Sequence, residues 1–249
     1  MTKGQRVFFG VVLAVLIASV FARTLAPFDP NMIDQKYWLG DPVPPCFVNA
    51  ALCGGHLLGS DEVGRDMLSR LMVGAQATLE TSLIAVVGML SLAYFLGVMQ
   101  RRGGRTVSYL IARASDGLSS LPRWPMLVLI AMVFIGGRHG LPPLDYLAVF
   151  AALLLWPQTA RLVAAHRPAG TILQRAVKDW AAAILLFATV DFFGWGWQPP
   201  QASWGNMLAG MQSTMSTGWW VSVFPAASIF IVVLALQIAA RTVFAEERG

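Results

Sequence analysis

Long apolar runs separated by short charged stretches constrain this chain more than any other feature. The runs cover residues 7–22, 82–99, a third stretch ending near Gly136, 144–158, 180–197 and 219–240. A membrane-spanning helix needs about 20 mainly apolar residues. A soluble domain carries about 25% charged residues, whereas this chain has 12% charged and 56% hydrophobic residues. The sequence therefore predicts an all-α, polytopic bundle of about six transmembrane helices, folded as one domain over residues 1–249.

The positions of Lys and Arg predict how these runs cross the membrane. Most of the 18 Lys and Arg residues lie in the first six residues, in RRGGR at 101–105, in the loop 161–178 and in the tail after residue 240. The loop 23–75 is rich in Asp and Pro and carries little net positive charge. Because positively charged loops stay in the cytoplasm, we expect both termini and loop 161–178 inside, and loop 23–75 outside.

The first apolar run, 7–22, is short for a membrane span. A run of this length could also be the core of a cleaved signal peptide. Its small-residue cleavage pattern is poor, however. We therefore expect it to be retained as the first span.

A charged island at 56–70 separates the first two runs. Its first half is rich in Gly, Ser and Asp, which favour turns. From Asp61 onward the sequence predicts a helix capped by Ser60 or Asp61, with Glu62 in its first turn. The apolar residues that follow fall on one helical face. These are Val63, Met67, Leu68 and Leu71.

Two cysteines, Cys46 and Cys53, lie in the loop predicted to be external. An oxidising compartment would allow them to form a small disulfide, although two free thiols fit the sequence equally well. Two cysteines with His56 as the only nearby histidine do not make a four-ligand zinc site. We therefore expect no metal site here.

The sequence carries no signal for chemistry of its own. Its three lysines are followed by Gly, Tyr and Asp, so it lacks the Lys-Ser/Thr pair of a phosphate-binding P-loop. It also has no G-x-S-x-G or H-E-x-x-H motif, and only three dispersed histidines. The net charge of +5 does not form a patch interleaved with aromatic residues, as nucleic-acid binding requires. We therefore expect neither an enzyme nor a nucleic-acid-binding protein, and no cofactor in this chain.

Several motifs occur in the order seen in one family of membrane proteins. They are APFDPN at 26–31, HLLGSDEVGRDMLSR at 56–70 with LMVGAQATL after it, QPPQASWGNMLAG at 198–210, the WW pair at 219–220 and FPAASIFIVVLA from 224. Together they resemble the permease subunits of the oligopeptide, dipeptide and nickel class of bacterial ABC importers. The resemblance implies a type I importer permease fold in the inner membrane. It also implies four partners: a second permease, two cytoplasmic ATPases that bind ATP and Mg, and a periplasmic substrate-binding protein.

In that family a helix with an E-A-A and Gly pattern, between the fourth and fifth spans, docks on the ATPase. Here WPQTARLVAA at 156–165 resembles the entry to this loop and RAVKDWAAAILLFATVD at 175–191 its exit. The stretch between them lacks E-A-A, so we expect a shortened coupling loop with a short helix at 171–178. The coupling candidates are Gly170, Gln174, Arg175 and Lys178. The cations there could equally be positive-inside anchors.

Several other polar or aromatic residues are candidates by position. Asp191 lies within the predicted fifth span, where a carboxylate indicates either a pore or a packing hydrogen bond. Asp116, which fits the family's pattern before the third span, is a candidate for the same two roles. The candidates for docking of the binding protein are Asp61, Glu62, Arg65, Asp66 and Trp204. The alternative is that the charged residues cap the chain's own turns and that Trp204 is a membrane-interface anchor.

Two other functions are consistent with parts of the sequence. The shortened loop is consistent with a degenerate or scaffold subunit that couples weakly to an ATPase. A secondary transporter is also open, although no internal repeat supports it. The sequence does not indicate the transported solute. The resemblance implies that the binding protein, and not the permease, selects it.

Overall fold

The computed structural model describes residues 17, 21–34, 42–122, 125–126, 129–130, 132–133, 143–210 and 217–242. Several predicted features lie largely or wholly outside these residues. They are most of the first span, the third span beyond Pro122, the turn 137–140 and the tail beyond Thr242.

The regular secondary structure of the described residues is helical, apart from one isolated bridge between Ser60 and Asp66. The helices are α1 (Ala22–Leu25), α2 (Met67–Arg102), α3 (Gly104–Ser120), α4 (Pro143–Ala164), α5 (Ala169–Phe192), α6 (Trp204–Ala209) and α7 (Trp220–Thr242). This confirms the all-α class for the described part of the chain. α2 and α7 are long and apolar enough to cross a membrane, and α4 contains a shorter apolar stretch, Ala148–Ala164. The total of six spans stays a prediction.

The predicted start of the helix at Asp61 is wrong, because α2 begins at Met67. Residues 61–66 form a turn instead: Asp61 Oδ1 accepts hydrogen bonds from the backbone N–H groups of Val63 and Arg65. Gly64 takes a positive φ of 82° there, a conformation that suits glycine. The residue that caps α2 is Asp66, which accepts from the Ser69 N–H at 2.8 Å. The loop predicted over 23–75 therefore ends at residue 66.

The predicted loop 161–178 is also mostly helical. α4 continues to Ala164 and α5 begins at Ala169. The turn between them contains His166 with a φ of 52° and Pro168, whose carbonyl accepts from the Thr171 N–H. The separate short helix predicted at 171–178 is wrong, since these residues are the first turns of the continuous helix α5. Likewise the predicted fifth span, 180–197, ends as a helix at Phe192.

The chain divides into two compact units. Among the described residues, unit 1 contains Thr81–Leu186, with the gaps given above, and the chain from Val233. Here α3 contacts α4, and Gly97 allows α2 to approach α4 closely, since a Cβ on Gly97 would lie 2.6 Å from Val163 Cβ. Small residues such as glycine permit this close packing of membrane helices.

Unit 2 contains the described residues up to Glu80 and those from Phe187 to Val232. It includes the segment 21–34 with α1, the loop 42–66, the first turns of α2, the end of α5, the loop 193–203 with α6, and the first half of α7. Its buried side chains include Met67, Leu79, Trp204 and Trp220. The charged island of the sequence, residues 56–70, therefore lies in this unit.

Candidate functional site

Asp61 is bound entirely within its own loop and the start of α2. Besides its two backbone contacts, its Oδ2 accepts from Arg65 Nε at 2.7 Å and lies 3.4 Å from Arg70 Nε. The side chain is buried. Three hydrogen-bond donors and the paired Arg70 guanidinium therefore surround the carboxylate, so the geometry favours the capping alternative over docking for Asp61.

Arg70 links three segments of unit 2. Its side chain is 4% exposed, and its Nη1 donates to the Pro30 carbonyl at 3.1 Å and to the Pro200 carbonyl at 3.3 Å. Arg70 and Asp61 are both buried and carry opposite charges, so each is the partner that the other's buried charge needs. The sequence signals Arg70 only as a cation placed just before an apolar run.

Asp66 and His56 form a second buried pair. His56 Nδ1 lies 2.8 Å from Asp66 Oδ1, and Asp66 Oδ2 accepts from the Ser69 hydroxyl at 2.7 Å. The Ser69 Oγ in turn accepts from the Phe28 N–H, and the Phe28 ring lies 5.1 Å from the imidazole of His56. This arrangement joins APFDPN to the charged island, so Asp66 also has an internal role.

Glu62 and Arg65 are the docking candidates that still reach solvent. They line a cavity of about 360 Å³ together with Arg70 and Asn206. Glu62 also lies close to Gly210, where a Cβ would be 3.4 Å from Glu62 Oε1. Of the five candidates, these two have the position that contact with another protein requires.

Two tryptophans anchor the loops to the helices. Trp204 is buried, and its Nε1 donates to the Leu71 carbonyl at 3.0 Å. Its helix α6 begins with a capping box, in which the Ser203 hydroxyl accepts from the Asn206 N–H. Trp220 Nε1 donates to the Ser60 carbonyl at 3.0 Å. Trp204 therefore packs inside the chain, which favours neither docking nor a lipid-facing anchor.

Asp191 lies one residue before the end of α5 rather than two thirds along a membrane span. It is buried, and its Oδ1 accepts from the Trp197 N–H at 3.0 Å. The Ser203 side chain also hydrogen-bonds to it. A Cβ on Gly205 would lie 2.6 Å from Asp191 Cβ, so α6 begins directly against this residue. Of its two predicted roles, the geometry favours packing.

Cys46 and Cys53 form a disulfide in the structure, with Cα atoms 4.8 Å apart. The Cys46 N–H also donates to the Leu57 carbonyl at 3.2 Å. No group of three or more His, Cys, Asp or Glu side chains suited to a metal ion occurs among the residues that the structure describes.

The coupling candidates lie together at one end of unit 1. Gln174 Nε2 donates to the Ala240 carbonyl at 2.8 Å, which caps the last turn of α7. Arg175 pairs with Asp179 at 2.8 Å, and Asp179 accepts from the Thr159 hydroxyl of α4 at 3.2 Å. Gln174, Arg175 and Lys178 line a cleft of about 220 Å³ with Gln158, Leu162 and Thr171. Gly170 lies in the first turn of α5, at the edge of this region.

Asp116, the remaining candidate, forms an ion pair on the surface of unit 1. Its Oδ1 lies 2.8 Å from Arg161 Nη2, and the two side chains are 58% and 45% exposed. Arg161 Nε also donates to the buried Ser115 hydroxyl at 2.9 Å. Asp116 therefore helps to join α3 to α4 at their surface.

Comparison with known proteins identifies the family, although no family model matches the chain. The chain is 30% identical over 259 residues to the di/tripeptide transport system permease protein of Pseudomonas aeruginosa, covering 91% of this chain and 81% of that protein. It is 31% identical over 261 residues to the dipeptide transport system permease protein of Escherichia coli, covering 95% and 85%. A putative peptide permease protein of Brucella ovis is 28% identical over 269 residues, covering 94% and 84%. The chain belongs to the oligopeptide and dipeptide class of ABC importer permeases.

Each of these alignments is longer than this permease itself, which has 249 residues. The relatives therefore contain residues that have no counterpart here. This chain is therefore shorter than these relatives within the aligned regions. In this permease, only residues 165–168 separate α4 from α5.

Proposed function

We propose that this permease is the membrane-embedded subunit of an ATP-driven importer. It forms the translocation pathway with a second permease in the inner membrane. A periplasmic binding protein delivers a peptide-like or other small solute, and two cytoplasmic ATPases bind and hydrolyse ATP. The observation that carries the proposal is the similarity to peptide permeases over nine tenths of the chain. The apolar helices α2 and α7 support embedding in the membrane.

The distribution of charge supports an orientation for the two candidate surfaces. The cationic segments around 101–105 and 161–178 belong in the cytoplasm by the positive-inside rule. On this topology both termini are cytoplasmic and the loop 42–66 faces the periplasm. Glu62 and Arg65 then lie where the binding protein approaches, and a charged rim of this kind sets orientation and association rate.

Contact with the ATPases is proposed for the exposed turn 165–168 and the adjoining cleft. Gln174 and Arg175 already bind groups of this chain, Ala240 and Asp179. These two side chains therefore hold the helices of this chain together and do not project towards a partner. Arg167 is exposed in the turn, and Lys178 lines the cleft, so these two cations are available to a partner.

Crosslinking tests this proposal directly. A Lys178→Cys variant, in the assembled complex, is expected to crosslink to an ATPase through a short thiol-reactive crosslinker. The matched control is Glu62→Cys, which is exposed in unit 2 and is expected to give no ATPase product. If Lys178→Cys gives no product while the second permease crosslinks well to the ATPases, this subunit is mechanically passive.

That result would support the second candidate function, a scaffold subunit with little coupling. The observation that favours it is the four-residue turn between α4 and α5, which leaves no separate helix to dock on a partner. Mechanical coupling requires an element that contacts the ATPase and moves with it. A short exposed turn offers less contact area to an ATPase than a helix does. Both candidates keep this chain in the same membrane complex.

A further inference from the structure

The segment 46–57, called here the cysteine loop, presents apolar side chains to its surroundings. It is closed by the Cys46–Cys53 disulfide and by the hydrogen bond that the Cys46 N–H donates to the Leu57 carbonyl. Phe47 is 66% exposed and Leu52 60% exposed, and Val48 and Leu57 are also more than half exposed. The disulfide between Cys46 and Cys53 holds the loop closed, so these side chains project from a constrained backbone. An exposed apolar cluster of this kind marks an interaction surface.

The sequence around the loop is free of charge. Residues 42–60 contain no Asp, Glu, Lys or Arg, and their one histidine, His56, is buried against Asp66. A surface that docks on a soluble protein normally has a charged or polar rim. The charged residues Glu62 and Arg65 lie further along the chain, where they line the cavity of about 360 Å³ described above. The cysteine loop therefore lacks the features of a site for the soluble binding protein.

Contacts fix the depth of the loop along α7. The Phe47 ring lies 6.4 Å from the Phe224 ring, in an edge-on arrangement, and Phe224 lies 6.0 Å from Trp219. Phe224 is one turn into α7, which begins at Trp220, so it lies only about 6 Å beyond the helix start. Three residues after the loop, the Ser60 carbonyl accepts from Trp220 Nε1. The loop is thus held level with the first turn of α7.

The first turn of a membrane-spanning helix lies at the boundary between headgroups and acyl chains, where Trp residues collect. Trp219 is exposed at this turn. Phe47 reaches the same turn through its contact with Phe224, which also contacts Trp219, and so adds an aromatic ring beside the helix. Apolar side chains on a constrained polar backbone at this depth partition into the interface, as in monotopic anchors.

We propose that the cysteine loop is a lipid anchor that inserts Phe47, Val48, Leu52 and Leu57 into the membrane interface beside α7. The anchor fixes the loop 42–66, and with it Glu62 and Arg65, at a set height above the bilayer. The inference rests on the proposed function only for the embedding of α7 in a membrane. It assigns a lipid surface as the partner of the loop.

Photocrosslinking in the intact membrane complex tests this anchor. Leu52 or Phe47 is replaced by p-benzoylphenylalanine, cells are grown with labelled phosphate, and the irradiated permease is purified and assayed for covalently bound phospholipid. Both sites are exposed, so neither replacement disturbs the core. The matched control places the same probe at Glu62, which is exposed in the loop 42–66 but lies outside the cysteine loop. We expect about tenfold more lipid adduct at Leu52 and Phe47 than at Glu62, the ratio given by ~1.4 kcal/mol of partitioning.

Equal labelling at the three sites would overturn the anchor. So would a main product at Leu52 and Phe47 that joins the permease to the second permease or to the binding protein. The same preparations are probed for co-purified ATPase, which reports on the proposed function separately. Lipid adducts without an ATPase would leave the anchor standing and remove the importer, and an ATPase without lipid adducts would do the reverse.

Discussion

At the scale of single residues, Asp191 shows how a buried carboxylate can organise a turn. It accepts the Trp197 N–H, binds the Ser203 side chain and closes the segment that connects α5 to α6. Ser203 is itself the cap of α6. One side chain therefore joins the end of one helix to the beginning of the next.

Replacing Asp191 separates packing from transport. Asp191→Leu removes the acceptor of the Trp197 N–H and is expected to destabilise the protein by about 1–3 kcal/mol, because a buried donor is left without its partner. Asp191→Asn keeps an acceptor oxygen and should unfold closer to wild type. The measurement is thermal unfolding of the purified complex in detergent.

The control for this comparison is Asp116→Leu, which breaks an exposed ion pair with Arg161. Exposed pairs contribute about 0–1 kcal/mol, so this variant should unfold near the wild-type temperature. A pore-lining role for Asp191 predicts a different pattern, in which Asp191→Asn unfolds like wild type but transports less. That pattern would refute the packing role.

The sequence indicates which residues of unit 2 are candidates for a structural or docking role, but it does not indicate which groups they bind. A carboxylate followed by Gly and Arg is a local signal, so capping by Asp61 was one of two alternatives. Arg70 binds the Pro30 and Pro200 carbonyls, which lie 40 and 130 positions away. No local pattern encodes such a contact. For the same reason Trp204, which binds Leu71, could not be assigned to the interior.

At the scale of elements, helix ends were the least predictable feature. Hydrophobic periodicity continues on both sides of a cap, so it placed the start of α2 at Asp61, six residues before Met67. The turn at 61–66 is set by side-chain contacts to the backbone and by the positive φ of Gly64. In contrast, the apolar character of α2, α4 and α7 was predicted well, since length and composition suffice for it.

The cysteine loop gives a prediction about orientation at this scale. In intact cells, a membrane-impermeant maleimide is expected to label the permease only after a reductant has opened the Cys46–Cys53 bond. This follows if the loop is periplasmic, where disulfides persist. The measurement is the mass shift of the purified chain.

Two variants control the labelling. Removal of both thiols in the Cys46→Ser, Cys53→Ser double variant should abolish it. A third cysteine in Lys178→Cys should stay unlabelled until the membrane is permeabilised. Labelling without a reductant would show free thiols, and labelling of Lys178→Cys in intact cells would reverse the proposed topology.

At the scale of the whole molecule, the family follows from motifs that occur in order, and alignments over nine tenths of the chain confirm it. The proposed coupling to ATP hydrolysis has less support from the sequence, because the E-A-A motif of the family's coupling loop is absent here. The structure gives that loop as a four-residue turn between long helices. Its exposed cation, Arg167, is either a contact for an ATPase or an anchor at lipid headgroups.

Charge reversal at Arg167 distinguishes these two roles. If Arg167 contacts an ATPase, Arg167→Glu should lower binding-protein-stimulated ATP hydrolysis by about fivefold or more, the lower end of usual coupling energies, while the complex still assembles. Arg105→Glu is the matched control, because Arg105 is also an exposed cation on the predicted cytoplasmic side, but on α3. The measurement is ATPase activity in proteoliposomes, normalised to assembled complex. If both variants reduce the amount of permease in the membrane equally and leave the stimulation unchanged, Arg167 acts as a positive-inside anchor. The turn between α4 and α5 would then transmit nothing through this side chain.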